Sequence, residues 1–134
     1  MKLLGIDYGE AKVGLAVGDD ESRLALPYSI IKNKGRANLL KELSAVCQKE
    51  GIGKIVVGLP ANTQAKGATI GEKKVKRFIK DLQSAVKLEV KAASEIFSTK
   101  QARKLTAGQK TKGRDDAVAA MVILQSYLDT RIYN

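Results

Sequence analysis

Three carboxylates could do chemistry together in a chain of 134 residues that contains no histidine: Asp7, Glu95 and Asp116. Asp7 ends a short apolar run (Leu3, Leu4, Ile6), and a bare carboxylate at the end of a buried strand is costly unless something pairs with it. Glu95 follows an alternating stretch at 88–93. Asp116 shares a helical stripe with Ala119, Ala120, Ile123 and Tyr127, at spacings of three, four, seven and eleven. Three convergent acids raise one another's pKa unless a cation neutralises them. Oxygen-only donors select hard ions, here Mg²⁺ or Mn²⁺. Two such ions about 3.5–4 Å apart can activate water and stabilise the leaving oxygen of a phosphodiester, without histidine. Each acid also has a plainer reading. Asp7 can cap a turn, Glu95 can be a solvated strand end, and Asp116 can favour a helix N-terminus.

The absence of histidine excludes Ser-His-Asp and Cys-His machinery and His-ligated zinc. Asp115 complicates the third acid, because one of two adjacent aspartates at a helix start serves as the cap. Ser98 and Thr99 read as helix caps, with Gln101 completing a capping box.

The acids need a frame to bring them together. Residues 3–7 read as a buried strand, turning at Tyr8-Gly9-Glu10-Ala11. Residues 12–18 alternate, with Val13, Leu15 and Val17 on one face and Gly14, Ala16 and Gly18 on a thin face that something can approach closely. Residues 24–31 form a third strand, where Pro27 marks an edge or a bulge. Short connections predict an antiparallel meander.

Leu39, Leu40, Leu43, Val46 and Cys47 then give a helix over 36–49, closed by Gly51, with Cys47 in its core-facing stripe. KIVVGL (54–59) reads as a buried parallel strand. A polar loop (60–69) leads to a helix over 72–86, and residues 88–93 make the last strand. A helix from Ser98, a basic loop AGQKTKGR (107–114) and an apolar helix over 115–128 complete the order β-β-β-α-β-α-β-α-α. This implies a mixed five-stranded sheet, three strands in a meander and two parallel, with helices on both faces. With first and last strands as neighbours, Asp7 and Glu95 would meet at the carboxyl ends, where ligand sites of such sheets concentrate.

Length and the lack of repeats indicate one domain over 1–134. Lys and Arg outnumber Asp and Glu by 24 to 14, a formal net charge of +10 and a pI near 9.8. That balance suits a polyanion, nucleic acid above all, though a basic surface can also be indifferent. Candidate contacts are Lys110, Lys112 and Arg114, which lead directly into Asp116. Lys73, Lys76, Arg77 and Lys80 follow, at i, i+3, i+4 and i+7 opposite an apolar helix face; a solvated face explains them equally. Tyr8 could stack on a base or sit half-buried in the core. No apolar run approaches a membrane span and no signal peptide is evident, so a cytoplasmic location is expected; the single cysteine agrees with a reducing compartment.

These segments resemble the YqgF/RuvX family over nearly the whole chain. GIDYGEAKVGLAVGD (5–19) resembles its opening strand-turn-strand, with Asp7 on its leading acid. IVVGLPAN (55–62) is similar to its GLP signature. SEIFST (94–99) falls where the family carries Asp-Glu-Arg-Leu-Thr/Ser-Thr, and KGRDDAVAAMVILQSYLD (112–129) resembles its closing helix, with Asp116 on the acidic position. Ser94 and Ile96 stand in place of the family's usual Asp and Arg, Glu10 where Thr is common, and the loop after GLPAN lacks the usual Asp-Gly.

The resemblance implies a ribonuclease H-like fold and a metal-dependent nuclease with Asp7, Glu95 and Asp116 as its catalytic and metal-binding acids. The implied substrate is the small-subunit ribosomal RNA precursor, with branched DNA of the Holliday junction type as the older proposal. Ribosomal particles are the implied partners of a monomer or weak homodimer. A catalytically silent RNA-binding assembly factor is the competing class. An actin/hexokinase-like phosphotransferase shares the 5–19 pattern, but its enzymes close two such domains around ATP and this chain supplies one.

Overall fold

A computed structural model of the protein describes residues 1–59, 70–94 and 114–130. The elements run β1 (Lys2–Asp7), β2 (Lys12–Asp19), β3 (Leu24–Lys32), α1 (Arg36–Glu50), β4 (Ile52–Leu59), α2 (Ile70–Val86), β5 (Glu89–Ser94) and α3 (Arg114–Thr130). The expected helix from Ser98 lies outside the described residues. The strands make one five-stranded sheet in the order β3-β2-β1-β4-β5. The β1–β2 and β2–β3 pairs are antiparallel, and β1–β4 and β4–β5 are parallel. Pro27 lies on the edge strand β3, beside a register shift between Leu15 and Ala16. Both sequence readings of that proline therefore hold.

One expectation is corrected. The first and last strands are not neighbours, because β4 lies between them. Ile55, Val56 and Val57 are all fully buried, so β4 shows apolar side chains to both faces and belongs in the sheet's interior. Glu89, Lys91 and Ala92 of β5 are exposed, which suits an edge.

The two faces carry separate cores. Leu4, Ile6, Val13 and Leu15 pack with Leu39 and Leu43 of α1 and with Val75, Phe78 and Leu82 of α2. Leu3, Ala16 and Val56 pack on the other face with Ala120, Ile123, Leu124 and Leu128 of α3. Each fully buried leucine or phenylalanine contributes roughly 1.5–3 kcal/mol. Gly51 closes α1 in the left-handed conformation at φ 65°, its N–H donating to the Cys47 carbonyl. Gln125 docks α3 on the β2–β3 turn: its Oε1 accepts from Ala25 N–H (2.9 Å) and its Nε2 donates to Arg23 O (2.8 Å).

This connectivity gives all three described helices a common polarity. Helix α1 starts just after β3 ends, the early turns of α2 lie against the β1–β2 turn through the Lys74–Glu10 pair, and α3 runs from β2's first residues to the β2–β3 turn. Their N-termini therefore lie at the edge where β1 ends in Asp7, each carrying roughly half a positive charge. No described helix is long and apolar enough to cross a membrane.

Candidate active site

The thin face of β2 is where the site is built. Asp7 pairs with Gly14 across the antiparallel ladder, so their side-chain directions lie on the same face. That face carries α3. A β-carbon on Gly14 would lie 2.0 Å from the Asp116 carbonyl oxygen, and one on Gly5 would lie 2.8 Å from Leu124 Cβ. What approaches the thin face is the protein's own last helix. Its first turn is thereby seated beside the end of β1, with both Asp7 and Asp116 half-buried.

The structure brings these two acids to one face and one end of the sheet. Glu95 follows the last residue of β5 and lies outside the described residues. With β4 between β1 and β5, the two strand axes are separated by about 9–10 Å, twice the strand spacing. Among the described residues no three His, Cys, Asp or Glu gather as a metal-binding group. Lys110, Lys112, Ser98 and Thr99 also lie outside the described residues, as do the side chains of Arg114 and Asp115.

Tyr8 turns to the opposite face. Its ring stacks on Phe78 of α2, with centroids 4.3 Å apart and planes at 19°, and it packs against the α1/α2 core. Arg36, the first residue of α1, lies over both rings, 5.8 Å and 5.3 Å from their centroids. It donates to Tyr8 Oη (3.3 Å) and pairs with Asp81 at 2.5 Å. The ring is half-buried against that core.

The α2 cations divide in two. Lys76 pairs with Glu72 one turn earlier (3.3 Å). Lys73, Arg77 and Lys80 are exposed, on the layer opposite α3. Glu10, where the family commonly has Thr, pairs with Lys74 of α2, which holds its carboxyl below the usual range. The sequence reading missed Arg36, Asp81 and Lys74. A helix-opening Arg after Gly35 was the one local signal, and its partners lie 28 and 45 residues away.

Away from this edge, Cys47 lines a cavity of about 280 Å³ with Ser44, Gln48 and Leu88, between the C-terminal ends of α1 and α2. Burial raises its thiol to about 11, so it stays protonated and inert. At the same end Lys54 donates to Tyr127 Oη (3.0 Å) and pairs with Glu89 (3.3 Å), tying α3 to β4 and β5.

Residues 1–130 match the family model described as RuvX, Holliday junction resolvase. A relative from Anaeromyxobacter sp. (strain Fw109-5), provisionally named pre-16S rRNA nuclease, is 36% identical, with 98% of each chain covered. Another of that name, from Syntrophomonas wolfei, is 37% identical over 96% of this chain and 94% of its own. Among solved structures, T. thermophilus RuvC in complex with a Holliday junction substrate matches with a TM-score of 0.63 at 16% identity, covering 98% of this chain and 96% of that one. The Fowlpox virus resolvase with Holliday junction DNA gives 0.65 at 15%, covering 98% and 99%. At such identities these structures speak to the fold alone. The mixed five-stranded sheet is ribonuclease H-like, as the family resemblance implied.

Proposed function

The chain belongs to the RuvX family, and on that premise we propose that it is a metal-dependent nuclease acting on structured nucleic acid, with the 5′ end of the small-subunit ribosomal RNA precursor as substrate. The observation that carries this reading is the seating of Asp116 over Gly14, the ladder partner of Asp7. It supports the reading by setting the backbone of Asp116 beside the end of β1, so that two acidic residues share one end of the sheet in a protein without histidine.

That donor set fits Mg²⁺ or Mn²⁺. Asp7 and Asp116 would hold the ion, with Glu95 as the third acid from the end of β5. Bound there, a divalent cation supplies a deprotonated water and charge stabilisation at a scissile phosphate. The remaining work falls to the chain. The helix N-termini at this edge favour an approaching phosphate. Lys110, Lys112 and Arg114 precede Asp116 directly and hold the substrate backbone near the acids.

Purified Asp7→Asn protein tests the reading, because it removes one ligand charge at nearly constant volume. The expected result is loss of Mg²⁺- or Mn²⁺-dependent cleavage of precursor RNA, with an unchanged fold. Cleavage at the wild-type rate overturns it. A wild-type protein that binds RNA but cleaves none with either metal favours the silent assembly factor. Cleavage confined to four-way DNA identifies a junction resolvase.

A further inference from the structure

The acids on or against α2 are already engaged: Glu72 with Lys76, Asp81 with Arg36, and Glu10 with Lys74. Lys73, Arg77 and Lys80 are exposed and form no ion pair among the described residues. They stand at i, i+4 and i+7, along about 10 Å of one side of the helix. Like charges at these spacings repel and weaken a helix. Lys76 shows the ordinary remedy, an acid one turn away. The other three lack it, although Asp81 stands four residues beyond Arg77 and is taken by Arg36 from another helix. The stripe starts at the end of α2 that lies on the carboxyl edge, and it descends on the layer opposite Asp116.

We propose that this outer face of α2 is a second nucleic-acid-binding surface, on which Lys73, Arg77 and Lys80 contact successive phosphates of a segment that crosses the carboxyl edge away from α3. The spacing fits a polyanion, whose charges recur every few ångströms, and the formal +10 of the chain favours one. The surface deepens the nuclease reading by giving the substrate a path on both layers, but its binding does not require the nuclease reading.

The test is binding of a fluorescein-labelled RNA hairpin with a single-stranded tail, by anisotropy, in EDTA and over a series of salt concentrations. The full chain with Lys73→Gln, Arg77→Gln and Lys80→Gln is compared with one carrying Arg23→Gln, Lys49→Gln and Lys87→Gln. Those three are exposed cations at the opposite end of the sheet. Thermal melting checks that both variants fold. The α2 variant is expected to lose at least tenfold in affinity at about 0.1 M salt, and its log K against log salt slope to flatten by about 2, since each phosphate contact contributes roughly 0.7–0.9. The control is expected to change less than twofold.

Equal losses in both variants would reduce the effect to net charge and overturn the proposal. So would wild-type affinity in the α2 variant, which would leave the stripe to an acidic protein, and so would a wild-type chain that does not bind the hairpin. A wild type that binds as expected but never cleaves refutes the nuclease and leaves this surface standing.

Discussion

The Asp116 carbonyl lies so close above Gly14 that a β-carbon there would come within 2.0 Å of its oxygen. Because Gly14 is paired with Asp7, one missing side chain sets how near the first turn of α3 comes to the end of β1.

Gly14→Ala is therefore expected to push α3 outward, at a cost of about 1–3 kcal/mol from overpacking, and to lower turnover by displacing Asp116. Gly51→Ala is the matched control. It strains a left-handed cap at φ 65° with nothing nearby to clash, costs about 1–2 kcal/mol and leaves turnover intact. Melting curves and cleavage rates on the two variants separate lost stability from lost geometry. Equal turnover in both would mean that the Gly14 contact only packs the helix.

The adjacent aspartates at the start of α3 are expected to differ. Asp116→Asn eliminates metal-dependent cleavage while nucleic acid still binds. Asp115→Asn costs at most about 1 kcal/mol, the value of a cap, and leaves activity. Cleavage and binding measured in parallel decide between them, and loss of activity in Asp115→Asn alone would transfer the catalytic role to that residue.

Tyr8 and Phe78 form a packing unit at the site's far side. Phe78→Ala is expected to cost about 3–5 kcal/mol, as a fully buried phenylalanine does. Tyr8→Leu keeps most of the apolar contact and is expected to hold RNA affinity within twofold of wild type, by titration at fixed salt. A tenfold loss of affinity in a folded Tyr8→Leu protein would assign the ring a base-stacking role.

Cys47 gives stability an alkaline limb. Burial raises its thiol from 9.0 to about 11. The unfolded chain then loses this proton first, so the native state binds more protons between these values and stability falls as pH rises. The contribution is complete below about pH 9 and lost through about pH 11, on the order of 2–3 kcal/mol. Chemical denaturation of wild type and Cys47→Ala from pH 8 to 11 is expected to show stabilities that converge as pH rises. Parallel curves would remove the thiol from the account.

Within the described residues, the sequence by itself determined which segments are strands and helices, because side-chain periodicity is local. The alternation at 12–18 and the stripe Leu39, Leu43, Cys47 are written within a few residues of each other, and the observed elements follow them. It also marked β2 as thin-faced, placed Asp7 at a strand end and put Asp116 in the first turn of a helix. Tertiary structure alone decided which apolar surfaces close on which. The interior place of β4 follows from Ile55, Val56 and Val57 being buried on both faces, a comparison among strands that no single window contains. The same holds for α3 as the occupant of the thin face, and for the α2 cations standing on the layer away from Asp116. Arg36 finds Tyr8 and Asp81 only because α1 and α2 pack side by side on one face of the sheet. Burial rewards the joint fit of distant segments, and that fit is a property of the whole chain in three dimensions.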